Sequence, residues 1–145
     1  MPRGYLILML HAHLPFVRHP EHESFLEENW LFEAISETYL PLLRVMDRLE
    51  RDGVPFKLTF SVSPTLTAML RDELLQQRYE RHLGRILELA EKELRRTRDD
   101  PQMYRVARLY NELYTQNHLD FTEKYDGDIL SGLDYYYKRG RLELL

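Results

Sequence analysis

Residues 6–15 read LILMLHAHLP, an apolar run that ends in two histidines and a proline. Side chains on a strand alternate between its two faces, so His11 and His13 point to the same side if the strand runs through them. The run is apolar at both alternating sets of positions, which is typical of a strand inside a parallel sheet or barrel. Because α/β folds carry their chemistry at the carboxyl ends of such strands, this pair of imidazoles is the strongest functional signal in the sequence.

Strand and helix patterns alternate along the chain, which indicates an α/β fold. We predict strands at residues 5–13 and 56–62, and the beginning of a third at 141–145. Helical periodicity occupies most of the sequence between them, at about residues 27–51, 65–70, 72–96, 101–124 and 128–137. This order predicts parallel strands joined by helical crossovers. Pro41 interrupts the first helical pattern, so that segment is predicted to be either one kinked helix or two helices.

Capping residues mark where several of these helices begin and end. Asp72, Asp100 and Asp128 each precede a helical pattern, and their carboxylates can accept hydrogen bonds from the free N–H groups of the first turn. Gly53 and Gly140 follow helical patterns, in positions suited to the left-handed conformation that ends a helix. The element boundaries therefore have local chemical support.

Composition excludes several classes of function. The formal net charge of −4 argues against nucleic acid as a partner, because phosphate binding needs a basic face. The chain has no cysteine, which excludes disulfides and thiolate metal sites. No segment approaches the ~18 consecutive apolar residues of a membrane helix. We expect a soluble cytoplasmic protein with no membrane partner.

The histidine pair is compatible with three roles. A His-x-His at the end of a first barrel strand is how amidohydrolase-type enzymes begin a metal site, but Met9 stands where an acid is usual and no later ligands follow at strand ends. Neutral imidazoles can also bind a sugar or an acyl group. The third role is structural, with both rings satisfied by neighbouring backbone. These residues alone leave all three open.

Four further side chains are candidates because they lie at or after the ends of the predicted strands. Trp30, the only tryptophan, lies near the start of the first crossover helix, where it can stack on a sugar ring or pack the helix against the sheet. Arg18 belongs to a polar loop and can hold an acidic or hydroxylated group, or simply face solvent. Ser61 and Ser63 end the second strand and can line the same site.

Several segments, in order, resemble glycoside hydrolase family 57. Residues 11–18, HAHLPFVR, resemble the family's first signature segment, and the similarity continues through residues 28–35, 37–43 and 58–66. Residues 140–145 resemble the strand that leads to the second signature segment. The resemblance covers the whole chain. Its HAHLP form resembles the 1,4-α-glucan branching enzymes more than the 4-α-glucanotransferases or amylopullulanases, and members with this form have also been named α-amylases.

The resemblance implies a fold and a mechanism. The family fold is an incomplete (β/α)7 barrel, and residues 1–145 would be the N-terminal part of its catalytic barrel. The family mechanism is retaining: one carboxylate attacks the anomeric carbon and a second carboxyl acts first as acid and then as base. A branching enzyme passes the glucosyl-enzyme intermediate to a sugar 6-hydroxyl instead of water. The resemblance implies no metal and no cofactor, and an α-1,4-glucan as substrate.

The same resemblance implies roles for individual residues. His11 matches the signature histidine at the subsite of the cleaved bond, His13 would support it or contact the same sugar, and Trp30 matches an aromatic position beside the glucan cleft. With Arg18, these residues form the predicted substrate-binding set. The family's glutamate nucleophile and aspartate acid/base lie on later strands, so we assign no catalytic residue here. The chain is expected to be inactive without the remainder of its barrel, expected beyond Leu145.

Three alternatives remain open at this point. The first is an α-amylase or a 4-α-glucanotransferase of the same family. The second is a metal-dependent, amidohydrolase-like barrel that uses His11 and His13 as ligands. The third is a non-catalytic remnant that binds glucan or a partner protein.

Overall fold

Three parallel strands form the centre of the fold. The computed structural model describes Gly4 and residues 6–145 of the chain. The strands are β1 (Met9–Ala12), β2 (Leu58–Val62) and β3 (Leu142–Leu144). They pair in the order β1-β2-β3, and both pairs are parallel. The predicted α/β class is therefore confirmed, whereas the incomplete barrel remains a prediction.

Helical crossovers join the strands. They are α1 (Glu28–Ala34), α2 (Leu40–Arg51), α3 (Pro64–Leu70), α4 (Glu73–Arg96), α5 (Pro101–Leu119) and α6 (Ile129–Lys138), with π-helical segments at Ile35–Tyr39 and Asp120–Lys124. The side chains of Asp72, Asp100 and Asp128 accept backbone N–H groups in the first turns of α4, α5 and α6. These contacts confirm the three predicted caps, because each satisfies a donor that the helix itself leaves free.

The first crossover helix passes Pro41 without breaking. Between α1 and α2 the backbone forms the π-helical segment, in which the N–H of Leu40 donates to the carbonyl of Ile35, five residues earlier. This wider turn leaves the Ser36 carbonyl without its usual α-helical donor, and the Asn117 side chain donates to it at 2.8 Å. Of the two predicted alternatives the structure has one continuous helix, altered at the turn before a proline that has no N–H.

Strand β1 is shorter than predicted. The expected strand covered residues 5–13, of which Tyr5 lies outside the described residues, and the observed strand runs only from Met9 to Ala12. The ladder begins where Met9 lies beside Thr59. Leu6 and Ile7 precede this pairing and are 92% and 82% exposed.

The hydrophobic core lies on one face of the sheet. Ala12, Phe60 and Leu142 point into it and are buried. Side chains from the crossover helices complete the core: Leu43, Leu66, Leu70, Ile129 and Leu133. Burying a large apolar side chain stabilises a fold by roughly 1.5–3 kcal/mol, so this layer supplies much of the driving force. The opposite face carries the alternate residues of the strands, and we call Met9, His11, Thr59, Ser61 and Glu143 the open face.

Candidate functional site

The open face places polar groups from all three strands side by side. Met9 is paired with Thr59 and His11 with Ser61, while Thr59 is also paired with Glu143. Strand alternation puts these side chains on the face opposite the core. Met9, His11 and Glu143 are exposed, and Thr59 and Ser61 are partly exposed. The face is thus accessible in the described part of the chain.

The two histidines stand together at the carboxyl end of β1. Their rings are stacked, with centroids 6.0 Å apart and planes 13° from parallel. This confirms the prediction that both point to one side, although His13 lies just beyond the last residue of the strand. His11 Nδ1 lies 3.3 Å from Ser61 Oγ, which joins the pair to β2. The contact orients the His11 ring and directs its other nitrogen away from Ser61.

A second polar contact crosses from β2 to β3. Thr59 Oγ1 donates to Glu143 Oε2 over 3.1 Å. Neither residue was among the predicted site residues, whereas Ser61 was. The alternation of residues 141–145 could have indicated that Glu143 shares a face with the histidines, but only the register between strands brings it beside Thr59. The open face therefore combines imidazoles, hydroxyls and one carboxylate, the groups that hydrogen-bond to sugar hydroxyls.

Trp30 lies in the first turn of α1 and is half exposed. Its exposed fraction is 51%, whereas the next two residues, Leu31 and Phe32, are 1% and 3% exposed and pack in the core. The helix is therefore fastened to the sheet by its neighbours, and the indole face is available to a ligand. Its role beside a sugar remains a prediction.

Arg18 makes a structural contact that sequence analysis missed. Its Nε donates to Asp72 Oδ2 over 2.5 Å, while Asp72 Oδ1 accepts the N–H of Leu75 at 3.0 Å. One carboxylate thus caps α4 and holds the loop that follows β1. Among the described residues, Arg18 and Trp30 form no hydrogen bond or ring contact with the histidine pair. Of the predicted set, the structure thus brings His11 and His13 together and does not join Arg18 or Trp30 to them by such a contact.

A buried arginine of α4 holds the loop after β1 in place. Arg78 of α4 donates to the carbonyls of His19 and His22 and to the carboxylate of Glu28. Arg78 and Glu28 are 6% and 1% exposed. Hydrogen bonds from its own backbone and from His19 hold the pKa of Glu21, in the same loop, below its ordinary value.

The described residues contain no group of three or more His, Cys, Asp or Glu placed to hold a metal ion. Within that part of the chain, the metal-dependent alternative thus has no third ligand for His11 and His13. In the same residues, none of the helices is both long and apolar enough to span a bilayer.

Comparison with known proteins gives the family. Residues 7–145 match the sequence profile of Glycosyl hydrolase family 57. The chain is 36% identical, over 143 residues, to the 1,4-alpha-glucan branching enzyme TK1436 of Thermococcus kodakarensis, an alignment that covers 99% of this chain and 20% of that protein. The chain thus spans about a fifth of the length of this curated relative.

Solved structures agree with the sequence match. The alpha-amylase AmyC of Thermotoga maritima superposes with a TM-score of 0.91 and 46% identity, over 99% of this chain and 27% of that one. The GH57-type branching enzyme of Pyrococcus horikoshii gives a TM-score of 0.87 and 32% identity, over 98% and 26% of the two chains. TK1436, solved in complex with glucose and additives, gives 0.86 and 32%, over 98% and 25%. On this evidence the chain belongs to glycosyl hydrolase family 57.

Proposed function

We propose that this chain is the first part of the catalytic barrel of an α-glucan-active enzyme, which forms α-1,6 branches from α-1,4-linked glucan. The observation that carries the proposal is the stacked His11–His13 pair on the open face, at the carboxyl end of β1. Parallel α/β folds hold their ligands at this end of the strands. Because the chain belongs to glycosyl hydrolase family 57, we prefer a sugar-binding role for this pair over the metal-binding role of an amidohydrolase.

The open face would bind one sugar unit beside the bond to be cleaved. Ser61 Oγ occupies the Nδ1 side of His11, which leaves Nε2 to hydrogen-bond a sugar hydroxyl. His13, stacked on His11, would restrict its ring to one orientation. Trp30 would contact the apolar face of a neighbouring pyranose, because an exposed indole offers a large flat surface. Arg18 would act at the edge of this site through the guanidinium nitrogens that Asp72 does not use.

The bond-breaking groups would come from later strands of the barrel. In a retaining mechanism a carboxylate attacks the anomeric carbon while a carboxylic acid protonates the leaving oxygen. When the acceptor excludes water, its 6-hydroxyl oxygen attacks the anomeric carbon of the glucosyl-enzyme, gives its proton to the second carboxylate and releases the first. We propose that residues 1–145 contribute sugar binding to this scheme and no catalytic carboxylate. They act with the remainder of their own barrel, in the cytoplasm, on glucans such as amylose or glycogen.

Hydrolysis is the second candidate, favoured by one observation. The relative named an alpha-amylase has 46% identity with this chain, against 32% for the structures named as branching enzymes. The two activities share the first step and differ in the acceptor. Branching creates α-1,6 linkages, whereas hydrolysis creates reducing ends without them.

The test uses the whole protein with amylose, and measures α-1,6 anomeric protons by NMR and reducing ends by colorimetry. We expect new α-1,6 linkages in excess of new reducing ends. His11→Ala should lower turnover by about 10²-fold, since a group positioned at the reacting centre is commonly worth that much. His118→Ala, a histidine of α5, is the matched control and should keep normal turnover. Near-normal activity of His11→Ala would contradict the site assignment.

A separate measurement tests the place of this chain in a barrel. The intact mass of the native protein should correspond to several hundred residues, with a glutamate and an aspartate at later strand ends. A native product that ends at Leu145 would overturn the enzyme proposal.

A further inference from the structure

A groove of about 520 Å³ lies on the helical side of the molecule, away from the open face. Its walls come from α2, α6 and the π-helical segment Asp120–Lys124, and include Asp47, Lys124 and Tyr135. The same two helices place Leu43 and Leu133 against the core face of the sheet, beside Phe60. The groove and the histidine pair therefore lie on opposite sides of the sheet, and nothing in the proposed mechanism uses the groove.

The aromatic walls of the groove are held rigidly. Tyr135 is 47% exposed, and its hydroxyl donates to Glu50 Oε2 over 3.1 Å. Arg139 donates to the other oxygen of Glu50 at 2.8 Å and lies 5.1 Å from the centre of the Tyr135 ring. Tyr125 forms a further part of the wall. Aromatic rings fixed in this way bind a ligand with little loss of side-chain freedom.

The polar groups of the groove are also fixed before any ligand arrives. Asp47 accepts from the hydroxyl of Tyr136 at 2.6 Å and from the ammonium group of Lys124. A carboxylate oxygen can accept more than one hydrogen bond and an ammonium group has three hydrogens, so both groups retain capacity for a ligand. Glu50 and Arg51 stand at the same groove and add one acceptor and one donor group.

The charge balance of the groove selects the class of ligand. Asp47 pairs with Lys124, Glu50 with Arg139 and Arg51 with Asp52, so each charge at the groove has an opposite charge beside it. A phosphate or another ion would meet one opposing carboxylate for each cation. A neutral polyhydroxyl ligand meets donors and acceptors in equal number, and its apolar C–H face fits against tyrosine rings. These features together describe a pyranose site.

We propose that this groove is a second, non-catalytic binding site for an α-glucan chain. The choice of glucan rests on the proposed function, whereas the preference for a neutral pyranose rests on the groove itself. A site on the far side of the sheet would hold the polymer near the enzyme while another segment of it occupies the catalytic face. The volume lies within the roughly 300–1,000 Å³ of ordinary ligand sites, enough for one or two sugar units.

The parent for this test is the whole protein carrying His11→Ala, which weakens sugar binding at the open face, and it is titrated with maltoheptaose by isothermal calorimetry. It should bind with a dissociation constant of about 1 mM or tighter. Tyr135→Ala should weaken binding roughly tenfold, because it removes the main exposed ring of the groove. Tyr135→Phe keeps the ring and should bind within about threefold of the parent, in line with the small net value of one exposed hydrogen bond. Tyr137→Ala is the matched control, since Tyr137 is 52% exposed on the same helix and does not line the groove.

The outcomes separate this inference from the proposed function. Equal affinities for the parent and Tyr135→Ala, an equal loss in Tyr137→Ala, or no binding by the parent would each overturn the groove site. Equal binding of cellohexaose would overturn its assignment to an α-glucan. The activity of His11→Ala in the whole protein tests the proposed function and does not enter this comparison, so either idea can fail while the other stands.

Discussion

At the scale of single residues, Arg78 is a buried charge whose hydrogen bonds hold the loop after β1. It is 6% exposed, it holds two carbonyls of the loop after β1, and its ion pair with Glu28 is buried. Its Nε is buried with no hydrogen-bond partner among the described residues. Removing one member of such a pair leaves the other charge buried and unpaired, which costs much more than the net value of the pair.

We therefore expect Arg78→Met to lower the free energy of unfolding by about 3–5 kcal/mol. Urea unfolding followed by circular dichroism measures the change. Arg81→Met is the control, since Arg81 is exposed on the same helix and its loss should change stability by no more than about 0.5 kcal/mol. Equal midpoints for Arg78→Met and Arg81→Met would show that the buried pair does not hold the loop.

The sequence predicts part of this residue-scale picture. The shared side of His11 and His13 follows from strand alternation alone, and the stacked rings confirm it. The role of Arg78 could not be predicted, because two of its partners are backbone carbonyls more than fifty positions away. Arg18 was predicted to bind substrate. Its contact with Asp72 could not be predicted, because it depends on where the loop after β1 meets the start of α4.

At the scale of elements, the turn before Pro41 is coupled to a distant helix. The π-helical segment frees the Ser36 carbonyl, which accepts from Asn117 of α5, and Asn117 Oδ1 accepts from Arg44 of α2 at 2.9 Å. Ser36 Oγ lies 2.9 Å from the hydroxyl of Tyr79, whose pKa is raised by burial. The interruption at Pro41 was predictable because proline lacks an N–H, whereas its resolution as a continuous helix depends on a partner contributed by α5.

Asn117→Ala should therefore destabilise the fold by about 2–3 kcal/mol, because it leaves a buried carbonyl and part of Arg44 without partners. Thermal unfolding or urea titration measures this. Asn111→Ala makes the same change in helix propensity, which favours alanine, at a partly exposed position of α5, and should leave stability unchanged or raise it slightly. If Asn117→Ala is as stable as Asn111→Ala, the contact with Ser36 contributes nothing to stability.

At the scale of the whole molecule, the sheet is covered unevenly. Helices bury Phe60 to 3% exposure on one face, while Met9 on the open face is 60% exposed. The match to family 57 structures extends over 98–99% of this chain but only 25–27% of theirs. The pattern of strands and helices predicted this class of fold because it is local, whereas the incomplete barrel, which was implied by the family resemblance, stays a prediction. We propose that the open face lines the interior of the barrel in the whole protein.

Substitution of Met9 can test whether the open face lies inside the barrel. The exposed Met9 side chain and the unpaired strand edges favour association between copies, so the 145-residue chain should self-associate in sedimentation velocity at rising concentration. Met9→Lys should reduce that association in the isolated chain, because a charge on the face opposes its burial.

In the whole protein the Lys side chain of Met9→Lys would be buried among barrel strands and should abolish the proposed branching activity, since an unpaired buried charge is very costly. Leu109→Lys, at a 62% exposed position of α5, should leave activity intact. Normal activity of the whole protein with Met9→Lys would place the open face outside the barrel.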